Sequence, residues 1–121
     1  MHVKGIFEIA IRVRNLEQAA SFYKDVLGFQ HGLLDAKRRW LFLCVNGRAG
    51  MVVLQEDKSS WMQQHFAFVV ATSDLVNVKR NLEEHGLSVL GPVELSWMKA
   101  HSLYCSDPDG HDLEFCALDY S

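Results

Sequence analysis

The chain has 121 residues, 49% of them apolar, with a formal net charge of −3. That length supports one packed domain, the charge lacks the basic excess of a nucleic-acid binder, and no apolar run approaches a membrane span. The opening Met1-His2-Val3-Lys4-Gly5 lacks a secretory apolar stretch, and Cys44, Cys105 and Cys116 lack framework spacing, so reduced thiols and a cytoplasmic address are expected.

From Ile6 to Val13 the chain alternates like a strand. Phe7, Ile9, Ile11 and Val13 form its apolar side, and Glu8, Ala10 and Arg12 face the other way. Asn15 is placed to cap a helix, with Gln18 three residues on. Leu16, Ala19, Ala20, Tyr23 and Leu27 recur at helical spacing, and Gly28 supplies the left-handed stop. A weaker strand follows at Gln30 to Leu34. A hairpin is then expected from Arg39 to Val45, through Asn46-Gly47, into Gly50 to Gln55. Lys37-Arg38-Arg39 reads as a solvated turn. The polar joint from Gln55 to Gln64 contains Trp61 and Met62, which suggests that it packs on something.

The pattern then repeats. Phe66, Phe68 and Val70 alternate with His65 and Ala67, Ser73 is placed to cap a helix running through His85, and Gly86 closes it. Leu75, Val78, Leu82 and Val76 form that helix's apolar stripe. A weak strand at Leu87 to Leu90 precedes a loop carrying Trp97 and Met98. A last hairpin pairs His101 to Ser106 with His111 to Ala117 across Asp107-Pro108-Asp109-Gly110, where Pro presets one φ and Gly takes the positive one. The fold class is therefore α+β, two βαβββ modules at about 5–56 and 64–118 of a single domain, each with one helix over one sheet face. The other faces are expected to line a curved, open, barrel-like cleft.

Glu114 lies in mid-strand between Leu113 and Phe115 and faces away from them, a costly place for a carboxylate without a positive partner. Glu8 and His65 occupy the same position in their repeats, again away from the helix side. Two carboxylates and an imidazole form a donor set for a divalent ion such as Mn, Fe, Ni, Co or Zn. Glu8 has an alternative reading, a partner for Arg12 about 13 Å along the same strand. Glu114 and His65 also have structural readings, as a salt-bridge partner and a core histidine. Tyr104 and Arg12 are placed to orient an oxyanion or hydroxyl. Cys116 shares the face of Glu114 but reads as a small buried residue, and Cys105 falls on the helix side. His31, His101 and His111 fall at turn or strand ends and are expected to face water.

The segments from Ile11 to Phe29, His65 to Val70, Gly91-Pro92 and Ser102 to Phe115 resemble the vicinal oxygen chelate superfamily, which includes glyoxalase I, fosfomycin-resistance thiol transferases, extradiol dioxygenases and bleomycin-binding proteins. SFYKDVLGF and DPDGHDLEF carry the resemblance. It implies a small divalent-metal-dependent lyase, isomerase, thiol transferase or dioxygenase, acting on a molecule that chelates the metal through vicinal oxygens. It assigns the metal to Glu8, His65 and Glu114, although Glu8 stands where the family usually has His. The candidate catalytic residues are Glu8, Glu114 and Tyr104, and the candidate substrate-binding residues are Arg12, Trp97 and Ser102. The fourth ligand position of glyoxalase I falls on Val53, and the phosphonate-binding Lys of the fosfomycin enzymes on Glu94. Short relatives pair modules between chains, which implies a homodimer with Glu8 from one chain and His65 and Glu114 from the other. The alternative is a metal-free protein that binds a small molecule or drug, for which Trp40, Trp61 and Trp97 supply aromatic surface. Neither nucleic acid nor membrane is an expected partner.

Overall fold

Residues 1–119 are described by the computed structural model. The chain forms one compact unit over Met1–Met62 and a second from Gln63 onward. In the first, β1 (Glu8–Val13) leads into α1 (Leu16–Ser21), which widens into a π-helical turn at Phe22–Val26. Strands β2 (Gln30–Asp35), β3 (Trp40–Cys44) and β4 (Met51–Glu56) follow. The sheet order is β1-β4-β3-β2, with β1 parallel to β4 and the other pairs antiparallel.

The second unit repeats this plan. Strand β5 (His65–Val69) leads through a 3-10 turn at Thr72–Asp74 into α2 (Leu75–Glu84). Strand β6 (Leu90–Leu95), a 3-10 turn at Ser96–Met98, β7 (Ala100–Ser106) and β8 (Asp112–Leu118) complete it. Its order is β5-β8-β7-β6, and β5 is parallel to β8. Each unit is thus the βαβββ module expected of an α+β protein. No helix among the described residues is long and apolar enough to cross a membrane.

Alternation decides which face each sheet buries. Ile11 and Val13 on β1 and Leu41 and Leu43 on β3 are buried, and α1 packs on β3 and β4 through a face that includes Leu16 and Ala19. In the second unit Leu103, Cys105, Leu113 and Phe115 are buried, as are Leu75 and Leu82 of α2. Val76 is two-thirds exposed and lies off the helical stripe expected to contain it. The side chain of Asn15 caps α1 by accepting the Gln18 N–H at 2.9 Å. Ser73 caps nothing by a side-chain bond, because α2 is entered through the 3-10 turn. The Asn46-Gly47 turn is part of a longer connection, since β3 ends at Cys44 and β4 starts at Met51.

Both second strands carry a bulge at a glycine. The register breaks between His31 and Leu33 on β2 and between Leu90 and Val93 on β6. A Cβ on Gly91, at φ 115°, would lie 2.5 Å from the Ser102 carbonyl oxygen, so only glycine lets β6 approach β7 there.

Candidate functional site

The face of the second sheet opposite its buried side chains carries the densest polar grouping. Register places Glu114 between Ala67 on β5 and Tyr104 on β7. His65 lies one alternation from Ala67 along β5. The small Ala67 side chain leaves the space through which His65 and Glu114 meet: His65 Nε2 lies 3.0 Å from Glu114 Oε1.

The second carboxylate oxygen is held from the other side. Ser102 Oγ, fully buried, donates to Glu114 Oε2 at 2.6 Å, and the Tyr104 hydroxyl donates to the same oxygen at 3.4 Å. Burial, reinforced by the nearby Glu114 charge, raises the Tyr104 phenol above its ordinary value, so it remains a donor at neutral pH. His65 and Tyr104 line one cavity of about 520 Å³ with Leu90, Ser106 and Asp112. The His65 side chain is half exposed and can be approached from solvent, whereas Glu114 is largely covered.

This pair arises from strand chemistry. Asp107-Pro108-Asp109-Gly110 reverses the chain, with the Gly110 N–H donating to the Asp107 carbonyl at 3.0 Å. Asp107 Oδ1 accepts the main-chain N–H groups of Asp109 and His111, which fixes the start of β8. His111 is fully buried, not at the water-facing position expected of it. Its Nδ1 accepts the Gln64 N–H at 2.9 Å, and its ring meets Phe66 edge-on. The Gln64 carbonyl accepts from the Asp112 N–H at 2.9 Å. Gln64 is therefore held on both sides immediately before His65. Sequence reading missed this role of His111.

The remaining predicted residues sit elsewhere. Trp97 is 81% exposed on the 3-10 turn before β7. Glu8 is exposed at the start of β1 in the first unit, and its carboxylate makes no hydrogen bond or ion pair among the described residues. Arg12 Nη1 pairs with Asp57 Oδ2 at 2.6 Å, so Asp57, not Glu8, is its carboxylate. Cys105 is buried, and burial with the nearby Asp107 pushes its thiol up to about 11, which leaves it unreactive at neutral pH. Arg39, expected as a solvated turn charge, instead binds both Glu17 and Glu56.

An imidazole nitrogen and a carboxylate oxygen at 3.0 Å, with the other carboxylate oxygen anchored by a buried hydroxyl, suit two ligands of a divalent ion. Neither unit gathers three His, Cys, Asp or Glu side chains into one cluster among its described residues.

Known proteins resemble this chain along nearly its whole length. An integron cassette protein, HFX_CASS4, from the mobile metagenome of the Halifax Harbour sewage outfall is 58% identical. Its crystal structure superposes with a TM-score of 0.92, covering 96% of this chain and all of that one. The metallothiol transferase FosB of Shouchella clausii is 31% identical over 117 residues, covering 93% of this chain and 79% of that protein. Catechol-2,3-dioxygenase of Bacillus subtilis is 29% identical over 116 residues, covering 88% of this chain but 39% of the longer enzyme. A family model matches residues 5–115, and with two βαβββ modules in place the chain belongs to the Glyoxalase/Bleomycin resistance protein/Dioxygenase superfamily.

Proposed function

We propose that this protein is a divalent-metal-dependent enzyme acting on a small molecule that presents two adjacent oxygens. The observation that carries the proposal is the His65–Glu114 pair, set on adjacent strands with its carboxylate oriented by Ser102 and Tyr104. His65 and Glu114 would hold Mn, Fe, Ni, Co or Zn. Glu8, supplied by the partner copy of a homodimer, would be the third ligand. When bound, the ion supplies Lewis acidity toward the two substrate oxygens.

The chain's own groups supply the rest. Ser102 acts through Glu114, since its hydroxyl is buried and already committed to that carboxylate. Tyr104 keeps its proton and is available to donate to a substrate oxygen that displaces the long contact with Glu114. Released from the ion, Glu8 would be the better general base, because Glu114 is tied down on both oxygens. Arg12 and Trp97 would meet substrate at the rim. Among the reactions open to such a site, thiol transfer is the one for which the FosB relatives are named.

The test is metal uptake. Protein made without a histidine tag, stripped, loaded with Mn²⁺ or Zn²⁺ and dialysed, is expected to retain one ion per chain by elemental analysis. His65→Ala and Glu114→Ala are expected to lose the ion while keeping the wild-type circular dichroism spectrum. Loaded wild type that retains no stoichiometric ion defeats the proposal.

A further inference from the structure

The first unit has a pocket of its own. It measures about 400 Å³ and is lined by Phe7, Gly32, Leu33, Phe42, Arg48 and Met51. Small-molecule sites begin at about 300 Å³ and combine apolar walls with a few fixed polar groups. This pocket has one charged lining group, Arg48.

Its construction follows from β2 and β3. Leu41 and Leu43 are buried on one face of β3, so Phe42 between them projects from the other. Leu33 pairs with Phe42 across the β2 bulge. At the bulge itself, a Cβ on Gly32 would lie 2.8 Å from the Phe42 carbonyl oxygen and 3.0 Å from Met51 Cε. The missing side chain keeps the floor open. Arg48 lies on the connection between β3 and β4, and its guanidinium makes no hydrogen bond or ion pair among the described residues. An unengaged guanidinium on an apolar wall is a ready partner for a carboxylate or similar anion, which it can hold through two N–H groups. Met51 neighbours Glu8 in the register of β1 and β4. As the one charged group on the lining, Arg48 is the place for an anion.

We infer that this pocket binds a small amphipathic acid, one aromatic or cyclic apolar body bearing a single anionic group, with the body against Phe42, Leu33 and Met51 and the anion on Arg48. None of the six lining residues is a proposed metal ligand, so binding here does not require an ion. It goes beyond the metal reading by naming the class of molecule that would lie next to Glu8.

The test uses the full chain in the presence of a chelator, which keeps its outcome separate from that of metal uptake. The probes are 2-naphthoate, the uncharged 2-naphthalenemethanol, and acetate, followed by titration calorimetry and by amide shifts of Phe7, Leu33 and Phe42. Naphthoate is expected to bind, the alcohol to bind about tenfold more weakly, and acetate not to bind measurably. Arg48→Gln is expected to weaken naphthoate by about tenfold and leave the alcohol unchanged. Leu33→Glu, at an exposed position, is expected to abolish binding of both. Circular dichroism establishes that each variant is folded. Equal binding of acid and alcohol, an Arg48→Gln variant that binds naphthoate like wild type, or no binding of naphthoate overturns the inference.

Discussion

Ser102 decides how Glu114 presents its carboxylate. It is fully buried, and its hydroxyl supplies the shortest bond that Glu114 makes, at 2.6 Å. Without it, Oε2 keeps only the long contact from Tyr104. A hydrogen bond to a charged group contributes about 1.5–3 kcal/mol, so Ser102→Ala is expected to lower unfolding free energy by about that much in urea titrations. Metal affinity should fall as well, because the carboxylate is left free to turn. A variant with wild-type urea midpoint and wild-type uptake would show that Ser102 does not orient Glu114. At this scale the juxtaposition of a mid-strand carboxylate and an imidazole in the second unit was legible, whereas Ser102, expected to meet substrate, is buried against Glu114. Other partners were not. His111 binds the main-chain N–H of Gln64, a group with no signature in the sequence. Arg12 meets Asp57 because β1 runs parallel to β4, which brings together residues 45 positions apart.

At the scale of elements, one carboxylate ties the hairpin, the helix and the last strand of the first unit together. Arg39 has φ 62° in the turn between β2 and β3. Its Nε donates to Glu56 Oε1 at 3.1 Å, and its Nη2 to Glu56 Oε2 at 3.0 Å and Glu17 Oε1 at 2.6 Å. Glu56 Oε2 also accepts the Leu16 N–H at the start of α1, at 2.9 Å. The Arg39 hydrogen bonds first, and the Leu16 N–H second, depress the Glu56 carboxyl from 4.5 to about 2. A depressed folded-state value means that the contribution is fully present above pH 4.5 and is lost as pH falls toward 2. Wild type is therefore expected to lose urea resistance over that window more steeply than Glu56→Gln, and the gap between them should close near pH 2. Parallel acid limbs for the two proteins would remove Glu56 as the cause. Helix entry was legible here, because Asn15 is a cap that acts within its own turn. The π-helical turn, the 3-10 entry to α2 and the role of Arg39 were not, since each depends on contacts or local geometry that no periodicity encodes.

For the whole molecule, the duplicated βαβββ plan was legible because it is written twice, with strands and helix stops at matching positions. Assembly is a different matter, since alternation tells which face a sheet buries under its helix but not what covers the other. The uncovered faces are far from polar. Phe7 and Leu33 are more than half exposed in the first unit, and in the second Val69 is 75% and Leu90 66% exposed. Under the proposed homodimer, these side chains are the candidate contacts of the open sheet faces. The proposed function supplies an occupant, a second copy of this chain bringing its Glu8, and closed twofold pairing is the commonest assembly. Light scattering coupled to size exclusion at micromolar concentration is therefore expected to give roughly twice the chain mass of 13.8 kDa. Val69→Lys places a charge on the open face without disturbing the buried side of β5, and is expected to shift the population toward monomer while leaving the fold intact. If wild type elutes with the mass of a single chain under these conditions, Glu8 of a partner cannot complete the site, and the third donor would have to be sought in the same chain or in solvent.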